Sequence, residues 1–345
     1  MRSGRITIHD VAAIAGVSAG TVSRVINDRE GVGEETRQRI RQIIDQHGFT
    51  ANSAAQKLST GRSNSIGVVS PMHTSQLAVH PVYPILLGAL GDAAADSGYD
   101  ILLLSIPSLK EISRLTDAVN RRRVDGIVLP AAGPDDPFIK ELSNLKFPTV
   151  IIGHREKSGR MPWVDSAHDV ASFELTNLLL KAGRRRLLML NGPSDTSAFE
   201  LRSKGFWSAV EQFNGTVEAE EHSVEFGADV VKDNVSGLLR SYGRALPTGI
   251  VAGNDTIGAA CLEVARQLDV DVPGRLAVTG FDDFLLSAYT SPPLTTVRMP
   301  LRELGSTAAE ILFRLIEGRP LRRRHVILPA ELVIRSSTPP PRQGP

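Results

Sequence analysis

Two pairs of polar residues, Asn254-Asp255 and Asp282-Asp283, each follow a short apolar run, Gly249–Val251 and Leu276–Thr279. Carboxylates and an amide brought to one place can exchange hydrogen bonds with several hydroxyls at once, which is the chemistry of a sugar or polyol site. The same residue types just before a helix are also its preferred N-caps, and for Asp255 and Asp283 that role competes with ligand contact. Asp282 and Asn254 are the stronger ligand candidates. A second group lies near the N-terminus, where Thr21, Ser23 and Arg24 can hold phosphates or base edges, while Ala19 and Gly20 are small enough to let a backbone approach a groove.

Other patterns lead nowhere chemically. Gly16-Val17-Ser18-Ala19-Gly20 fits the G-x-S-x-G nucleophile elbow, but the elbow needs a strand before it, and here a helix pattern precedes a Ser that reads as a cap. The eight histidines are scattered, without metal-ligand spacing, and no glycine-rich phosphate loop appears, so neither metal nor cofactor is expected. The single cysteine, Cys261, reads as a buried structural thiol. Arg121–Arg123, Arg184–Arg186 and Arg322–Arg324 look like nucleic-acid patches, but each directly precedes an apolar run, and the first two follow helices, where cations favour the dipole and stay solvated, which is the preferred reading.

Residues 1–48 read as three short helices. Thr7 and Asp10 have capping-box spacing, with Val11, Ile14 and Ala15 as the apolar stripe; Gly16 ends the first helix. Ser18 can cap a second helix that turns Val22, Val25 and Ile26 to one face and Ala19, Gly20, Ser23 and Asn27 elsewhere. The third starts near Glu34 and Glu35, carries Ile40, Ile43 and Ile44 inward and stops at His47-Gly48. Two helices joined by a glycine turn, the second with a small and polar outer face, form a helix-turn-helix candidate.

From Ile66 onward, short uncharged runs alternate with helical patterns. The strands are expected at Ile66–Val69, Ile101–Leu104, Gly126–Leu129, Thr149–Ile152, Leu187–Leu190, Gly249–Val251 and Leu276–Thr279. The helices are expected at Pro84–Ser97, Leu109–Arg122, Asp169–Ala182, Lys204–Phe213, Thr256–Leu268 and Leu301–Glu317. Such alternation specifies a doubly wound α/β architecture, and its length suggests two parallel-sheet lobes with a cleft between them. The tail Ser336–Pro345, with four prolines, reads as disordered.

The chain has 345 residues, 41% hydrophobic and 22% charged, with 39 Lys/Arg against 38 Asp/Glu. That is globular composition, long enough for about two domains. Residues 1–62 hold nine Lys/Arg and six Asp/Glu, so what basic excess exists lies at the N-terminus. With no signal-peptide pattern and no run of eighteen apolar residues, a cytoplasmic, non-membrane protein is expected.

The run Thr7 to Asn27 (TIHDVAAIAGVSAGTVSRVIN) closely resembles the headpiece signature of the lac repressor (LacI/GalR) family of bacterial transcription regulators. The resemblance continues through Glu34–Arg37, Gly48-Phe49, the hinge-like Asn52–Leu58 and Gly61-Arg62, then Arg123–Ile127, Thr248–Asp255, Val278–Asp283 and Ser291–Arg298. It covers roughly residues 6–337.

It implies an all-α helix-turn-helix headpiece (1–50), a hinge (51–63), an α/β effector-binding and dimerisation domain (64–337) of two doubly wound lobes, periplasmic-binding-protein-like type I, and a disordered tail (338–345). It implies DNA contact through Thr7, Ser18, Ala19, Gly20, Thr21, Ser23, Arg24, Asn27 and a minor-groove wedge, Leu58. It places effector contact at Asn254, Asp255 and Asp282, at Arg202 ahead of Gly205-Phe206, and at aromatic walls Tyr83, Trp163 and Phe226. Gly153-His154-Arg155 departs from the polar residue that several relatives carry after the fourth strand and leaves room for an anionic effector.

The implied protein is no enzyme. It is a repressor whose affinity for a pseudo-palindromic double-stranded operator is switched by a small molecule, a sugar or polyol. Family tetramers use a leucine-heptad C-terminal helix, which Ser336–Pro345 cannot supply, so a homodimer is expected. A solute-binding protein would explain the cleft alone, and an enzyme the Asp pairs alone. A regulator of the same architecture that activates, or whose effector strengthens DNA binding, is the alternative.

Overall fold

The computed structural model of the chain describes residues 6–26, 28–49, 61–70, 77, 81–130, 133, 136–155, 159, 161–194, 196–213, 215–225 and 228–340. The chain divides into two compact units, Met1–Ser63 and Asn64–Pro345.

In the first unit, α1 (Ile8–Ala15) opens with the expected capping box, Thr7 N–H donating to Asp10 Oδ2 at 2.8 Å and Asp10 N–H to Thr7 Oγ1 at 3.4 Å. Gly16, at φ 66°, ends it in the left-handed conformation that glycine alone adopts without strain. Helices α2 (Ala19–Ile26) and α3 (Glu34–His47) follow. The three enclose a small core of Val11, Ala12, Ala15, Val22, Val25, Ile40 and Ile43. Ile14 departs from expectation: Ala12 takes its place inside, and Ile14 is exposed.

The second unit holds a six-stranded sheet, ordered β11-β5-β4-β3-β1-β2, and a four-stranded sheet, β7-β6-β8-β9, both parallel throughout. The strands of the first are β1 (Ser65–Ser70), β2 (Asp100–Ser105), β3 (Gly126–Pro130), β4 (Thr149–Ile152), β5 (Trp163–Ser166) and β11 (His325–Leu328). Those of the second are β6 (Arg186–Asn191), β7 (Glu218–Ser223), β8 (Gly249–Ala252) and β9 (Ala277–Thr279). A short antiparallel pair, β10 (Thr296–Arg298) with β12 (Glu331–Val333), completes the set. The chain passes between the lobes three times, after β5, after β10 and after β11.

Helices cover the sheets: α4 (Val82–Asp96), α5 (Ser113–Asn120), α6 (Pro137–Leu145) and α12 (Leu301–Ile316) in the first lobe, α7 (His168–Lys181), α8 (Ser197–Glu211), α9 (Ala228–Ser241) and α10 (Asp255–Gln267) in the second, with a short α11 (Leu285–Tyr289). One apolar cluster joins Ile66, Val68 and Val128 of the first lobe to Leu187, Met189 and Phe206 of the second. Cys261 is buried in α10, where burial pushes its thiol pKa up to about 12.

All seven expected strands form. The alternation rule misses β7, whose Glu218–Ser223 sequence is almost wholly polar, and the short β5, β10, β11 and β12. Helix α8 begins seven residues earlier than expected, and Leu109–Arg122 is a 3-10 turn, Leu109–Glu111, followed by α5. The tail also departs from expectation: Ser337 and Thr338 are buried, because their hydroxyls and backbone close the edge of the second sheet. Val278 N–H donates to Ser337 O (3.0 Å), Ser337 Oγ to Val278 O (2.6 Å), and the Thr295 and Thr338 hydroxyls meet at 2.8 Å. Residues 341–345 lie outside the described residues.

Gly205 lets α7 and α8 approach closely, since a Cβ there would lie 2.2 Å from Asp169 O and 2.9 Å from Phe173 N, both backbone atoms that cannot swing away. We predict that Gly205→Ala lowers stability by about 1–3 kcal/mol, the usual cost of overpacking, despite its gain in helix propensity. A thermal or urea melt that moved upward would show that the helices can part freely.

Candidate functional site

The outer face of α2 is built as the sequence suggests. Ser18 accepts from Thr21 N–H at 3.1 Å and its hydroxyl meets Thr21 Oγ1 at 2.9 Å, which starts the helix at Ala19. Val22 and Val25 go inward with Ala19 half-buried against the same core, leaving Gly20 and Arg24 exposed and Thr21 and Ser23 half-buried. Thr7 is exposed, with its hydroxyl engaged to Asp10 Oδ2 at 2.7 Å. Asn27 and Leu58 lie outside the described residues. A helix end that turns Gly20, hydroxyls and one guanidinium outward has the shape and chemistry to fit a major groove.

In the second unit the carboxyl ends of both sheets meet. From the first lobe come Ser70 ending β1, Tyr83 on α4, Asp136 capping α6, and His154 and Arg155 behind β4. From the second come Asn191 ending β6, Ser197 and Arg202 on α8, Gly253-Asn254 behind β8 and Phe281-Asp282 behind β9. His154 Nδ1 and Ser197 Oγ, both buried, join the lobes at 2.5 Å.

At the centre lies Arg202, 5% exposed. Its Nη2 donates to Asp282 Oδ1 at 2.8 Å, its Nη1 to Gly253 O, and its Nε to His168 Nδ1 at 3.3 Å. The guanidinium lies 3.8 Å from the Phe281 ring centroid and 5.2 Å from that of Phe199. Because Nδ1 accepts from Arg202, the His168 proton sits on Nε2, 3.3 Å from Asp165 Oδ1 and short of a well-directed hydrogen bond. Burial lowers the His168 pKa, so the ring stays neutral. Burial works to raise Asp165, but His168 and the Arg155 guanidinium at 2.9 Å hold its carboxyl below the ordinary range. Arg155 also donates to Ser166 O (2.9 Å) and Asp169 Oδ1 (3.2 Å). The chain Arg155–Asp165–His168–Arg202–Asp282 therefore runs from one lobe to the other.

Of the expected ligand residues, Arg202, Asp282 and Asn254 come together here. Burial raises the Asp282 pKa while Arg202 pulls it down, and Asp282 Oδ2 has no partner among the described residues. The roles of Asn254 and Asp255 are the reverse of a simple cap reading. Asn254 Oδ1 caps α10, accepting from Ile257 N–H at 2.9 Å, so its amide N–H groups are what it can offer a ligand. Asp255 is fully buried and accepts from Phe284 N–H (2.7 Å) and Thr296 Oγ1 (2.5 Å), tying the Asp282-Asp283 turn to β10 rather than facing the cleft. Tyr83 lies at the β1 end of the cleft, fully buried, and burial raises its phenol pKa.

Trp163 must be moved out of the site. It starts β5, about 10 Å along the strand from Ser166, which leads into the cleft. Its ring stacks on His325 at 4.7 Å and joins the first-lobe core with Ile151 and Met161. Phe226 lies outside the described residues. Sequence reasoning misses Asp165, His168, Phe199 and Phe281. The first two straddle an unrecognised strand-to-helix junction, and the aromatics read as ordinary core.

Asp255 gives a pH signature. Burial, with Asp282 and Asp283 adding to it, raises its pKa from 3.8 to about 7. Between those values the folded protein keeps a proton that the unfolded chain has released, so its effect is absent below about pH 4 and lowers stability as pH rises towards 7, by about 4 kcal/mol at most. Asp255→Asn keeps the acceptor for Phe284 N–H and removes the titration. We predict that wild type loses stability relative to Asp255→Asn across that window. Denaturant melts at a series of pH values that left the difference flat would refute it.

Residues 7–52 match the family described as bacterial regulatory proteins, lacI family, and residues 176–338 match the periplasmic binding protein-like domain. The chain is 30% identical to the HTH-type transcriptional regulator DegA of Bacillus subtilis (strain 168), over 97% of this chain and 99% of that one. Among solved structures it is similar to the transcriptional regulator CelR in complex with cellobiose (28% identity, TM-score 0.74, 96% of this chain and 100% of that one). Its fold also matches that of the lac repressor dimer bound to operator and the anti-inducer ONPF (23% identity, TM-score 0.86, 97% and 99% covered). With a helix-turn-helix unit, a two-lobed α/β unit and near end-to-end relatives, the chain belongs to the lacI family of bacterial regulatory proteins.

Proposed function

We propose that this regulator is a cytoplasmic repressor, without enzymatic activity, that binds a pseudo-palindromic operator as a homodimer and is switched by a neutral sugar or polyol held between its lobes. The observation that carries the effector class is the charge balance around Arg202. Arg202 and Arg155 already face Asp282, Asp165 and Asp169 within 3.3 Å, so among the described residues the cleft has no unengaged positive charge for a carboxylate or phosphate. What it can offer is Asp282 Oδ2, the Asn254 amide and the His154–Ser197 pair, which suit hydroxyls. The structurally similar CelR was solved with cellobiose, and this supports the same reading.

Dimerisation is supported by α11, where Leu285 and Tyr289 are each 78% exposed and Leu286 47%. A helix that shows this much apolar surface to water is stabilised by covering it with a second copy. Two recognition helices related by a two-fold axis then read half-sites about one helical turn apart.

On the DNA side, Arg24→Ala should weaken binding to all sequences, whereas substitutions at Ala19 should change which bases are preferred. Selection from randomised duplexes that returned no palindrome, or the same palindrome for Ala19 variants, would overturn the model.

On the effector side, a thermal-shift screen of neutral mono- and disaccharides against sugar phosphates and carboxylates should show stabilisation by a neutral compound. Asp282→Asn keeps an acceptor for Arg202 and so avoids leaving a buried guanidinium unpaired, but it replaces the second acceptor with a donor. It should weaken that ligand about 10-fold or more, a loss of about 1–3 kcal/mol. Stabilisation by anions alone, unchanged in Asp282→Asn, would exclude the neutral-ligand reading.

A further inference from the structure

The three arginine triplets meet different fates. Arg184 donates to the carbonyls of Pro273 (2.5 Å) and Gly274 (3.0 Å), and Arg185 to Leu180 O (2.7 Å) while lying over the Phe213 ring. That triplet is part of the second lobe's fabric. Arg121–Arg123 and Arg322–Arg324 are all exposed. Arg121 reaches Asp117 only at 4.0 Å, and Arg122, Arg123, Arg322 and Arg323 have no ion-pair partner among the described residues.

The topology puts these two triplets on one edge. Every strand of the first sheet runs parallel, so the residues before β3 and before β11 lie at the same end of the sheet. Two strands, β4 and β5, separate them, which sets the triplets about 14 Å apart at three strand spacings. Lys146, exposed ahead of β4, falls between them. Of the nearby carboxylates, Glu317 pairs with Arg319 at 3.0 Å and Asp125 accepts from Asn64 N–H at 2.8 Å, while Asp117 approaches Arg121 only at 4.0 Å. Asp100 starts β2, two strand spacings or about 10 Å from the first triplet, on the side away from β11. This edge is opposite the carboxyl ends that form the cleft, so no effector contact explains it.

Asn64, the first residue of the unit, sits on this same edge, its carbonyl accepting from Asp100 N–H at 2.9 Å. Fourteen residues lie between Phe49 and Asn64, fifteen Cα–Cα steps that span about 50 Å at full extension. A duplex held by the first unit is thus within chain reach of the arginines.

We propose that this amino-end edge of the six-stranded sheet is a second DNA-binding surface, on which Arg122, Arg123, Arg322 and Arg323 contact backbone phosphates of the duplex that the helix-turn-helix unit holds. The reading rests on the DNA-binding function proposed for the chain. Arginine on this edge carries no base-reading geometry, so its contribution is to affinity and salt dependence rather than sequence choice.

The test uses the full chain and a fluorescent random-sequence duplex of about 40 base pairs, titrated by anisotropy between about 50 and 200 mM salt. The variant Arg122→Gln/Arg123→Gln/Arg322→Gln/Arg323→Gln should bind more weakly, with a log–log salt slope shallower by about two to four, at about 0.9 for each phosphate no longer neutralised. Arg240→Gln/Arg266→Gln, which removes exposed charge from the second lobe, should leave the slope unchanged. All these side chains are exposed, and a thermal melt checks that folding is retained. An unchanged slope in the fourfold variant, or an equal fall in the control pair, overturns the proposal. So does a variant that keeps its duplex slope but loses binding to phosphatidylglycerol vesicles, which would assign the edge to a membrane surface. Arg24→Ala separates the two readings: if it weakens duplex binding while the fourfold variant does not, the edge alone fails, and if neither has an effect the helix-turn-helix assignment fails too.

Discussion

A guanidinium cannot be taken out of water without replacing its hydration, and Arg202, almost wholly buried, imposes that requirement on the middle of the effector unit. Three groups from three different elements meet it: Asp282 behind β9, the Gly253 carbonyl behind β8, and the His168 ring at the start of α7. Phe281 and Phe199 take the flat faces of the cation. The arrangement leaves the second lobe's strand ends with almost no freedom. If β8 or β9 slid along its neighbour by a residue, Arg202 would lose a partner and leave a charge unpaired in the interior, a cost of several kcal/mol.

That fixity has a local cost in the backbone. Asp282 and Asp283 have φ of 107° and 56°, a region that residues with a Cβ enter only when their surroundings overdetermine it. Here the surroundings do. Asp282 N–H donates to Val297 O at 2.8 Å, Asp255 receives Phe284 N–H, and Asp283 is gripped by Arg298 at 2.8 Å and Arg335 at 2.6 Å. Arg335 precedes the Ser337-Thr338 segment that closes the second sheet, so the start of the tail helps hold the turn that presents Asp282. Ser337 and Thr338 are fixed for this reason, although the proline content around them reads as disorder.

Much of this is legible in the amino-acid sequence. The helix-turn-helix follows from Thr7, Gly16 and Ser18, each with a local backbone job, and the parallel strands follow from short uncharged runs such as Gly249–Val251. Asp282 and Asn254 can be placed because loops at strand ends form clefts in open α/β sheets. The failures have a common cause: they depend on partners distant in sequence. Glu218–Ser223 is polar, and forms a strand because β6 offers a parallel edge; Asp255 is held by Phe284 and Thr296. Trp163 has the chemistry of a stacking wall, but the register Trp163–His325 turns it into core.

The polar contacts between the lobes are few, and this sets the energy scale on which a ligand can act. Among the described residues, His154–Ser197 is one hydrogen bond, the Arg155–Asp169 ion pair at 3.2 Å is a second, and the Asp165–His168 approach at 3.3 Å is a weak third. Each contributes on the order of 1 kcal/mol net. Three crossings of chain tie the lobes together at their base, so the alternatives open to them differ by closure rather than by separation. A difference of a few kcal/mol between two closures is within what a small ligand supplies by binding one better than the other. Asp282 is suited to make that distinction because its Oδ1 is fixed by Arg202 in the second lobe, leaving Oδ2 for a ligand. A hydroxyl bonded there and also to His154 would add to the His154–Ser197 bridge in one closure and lose one of its partners in the other.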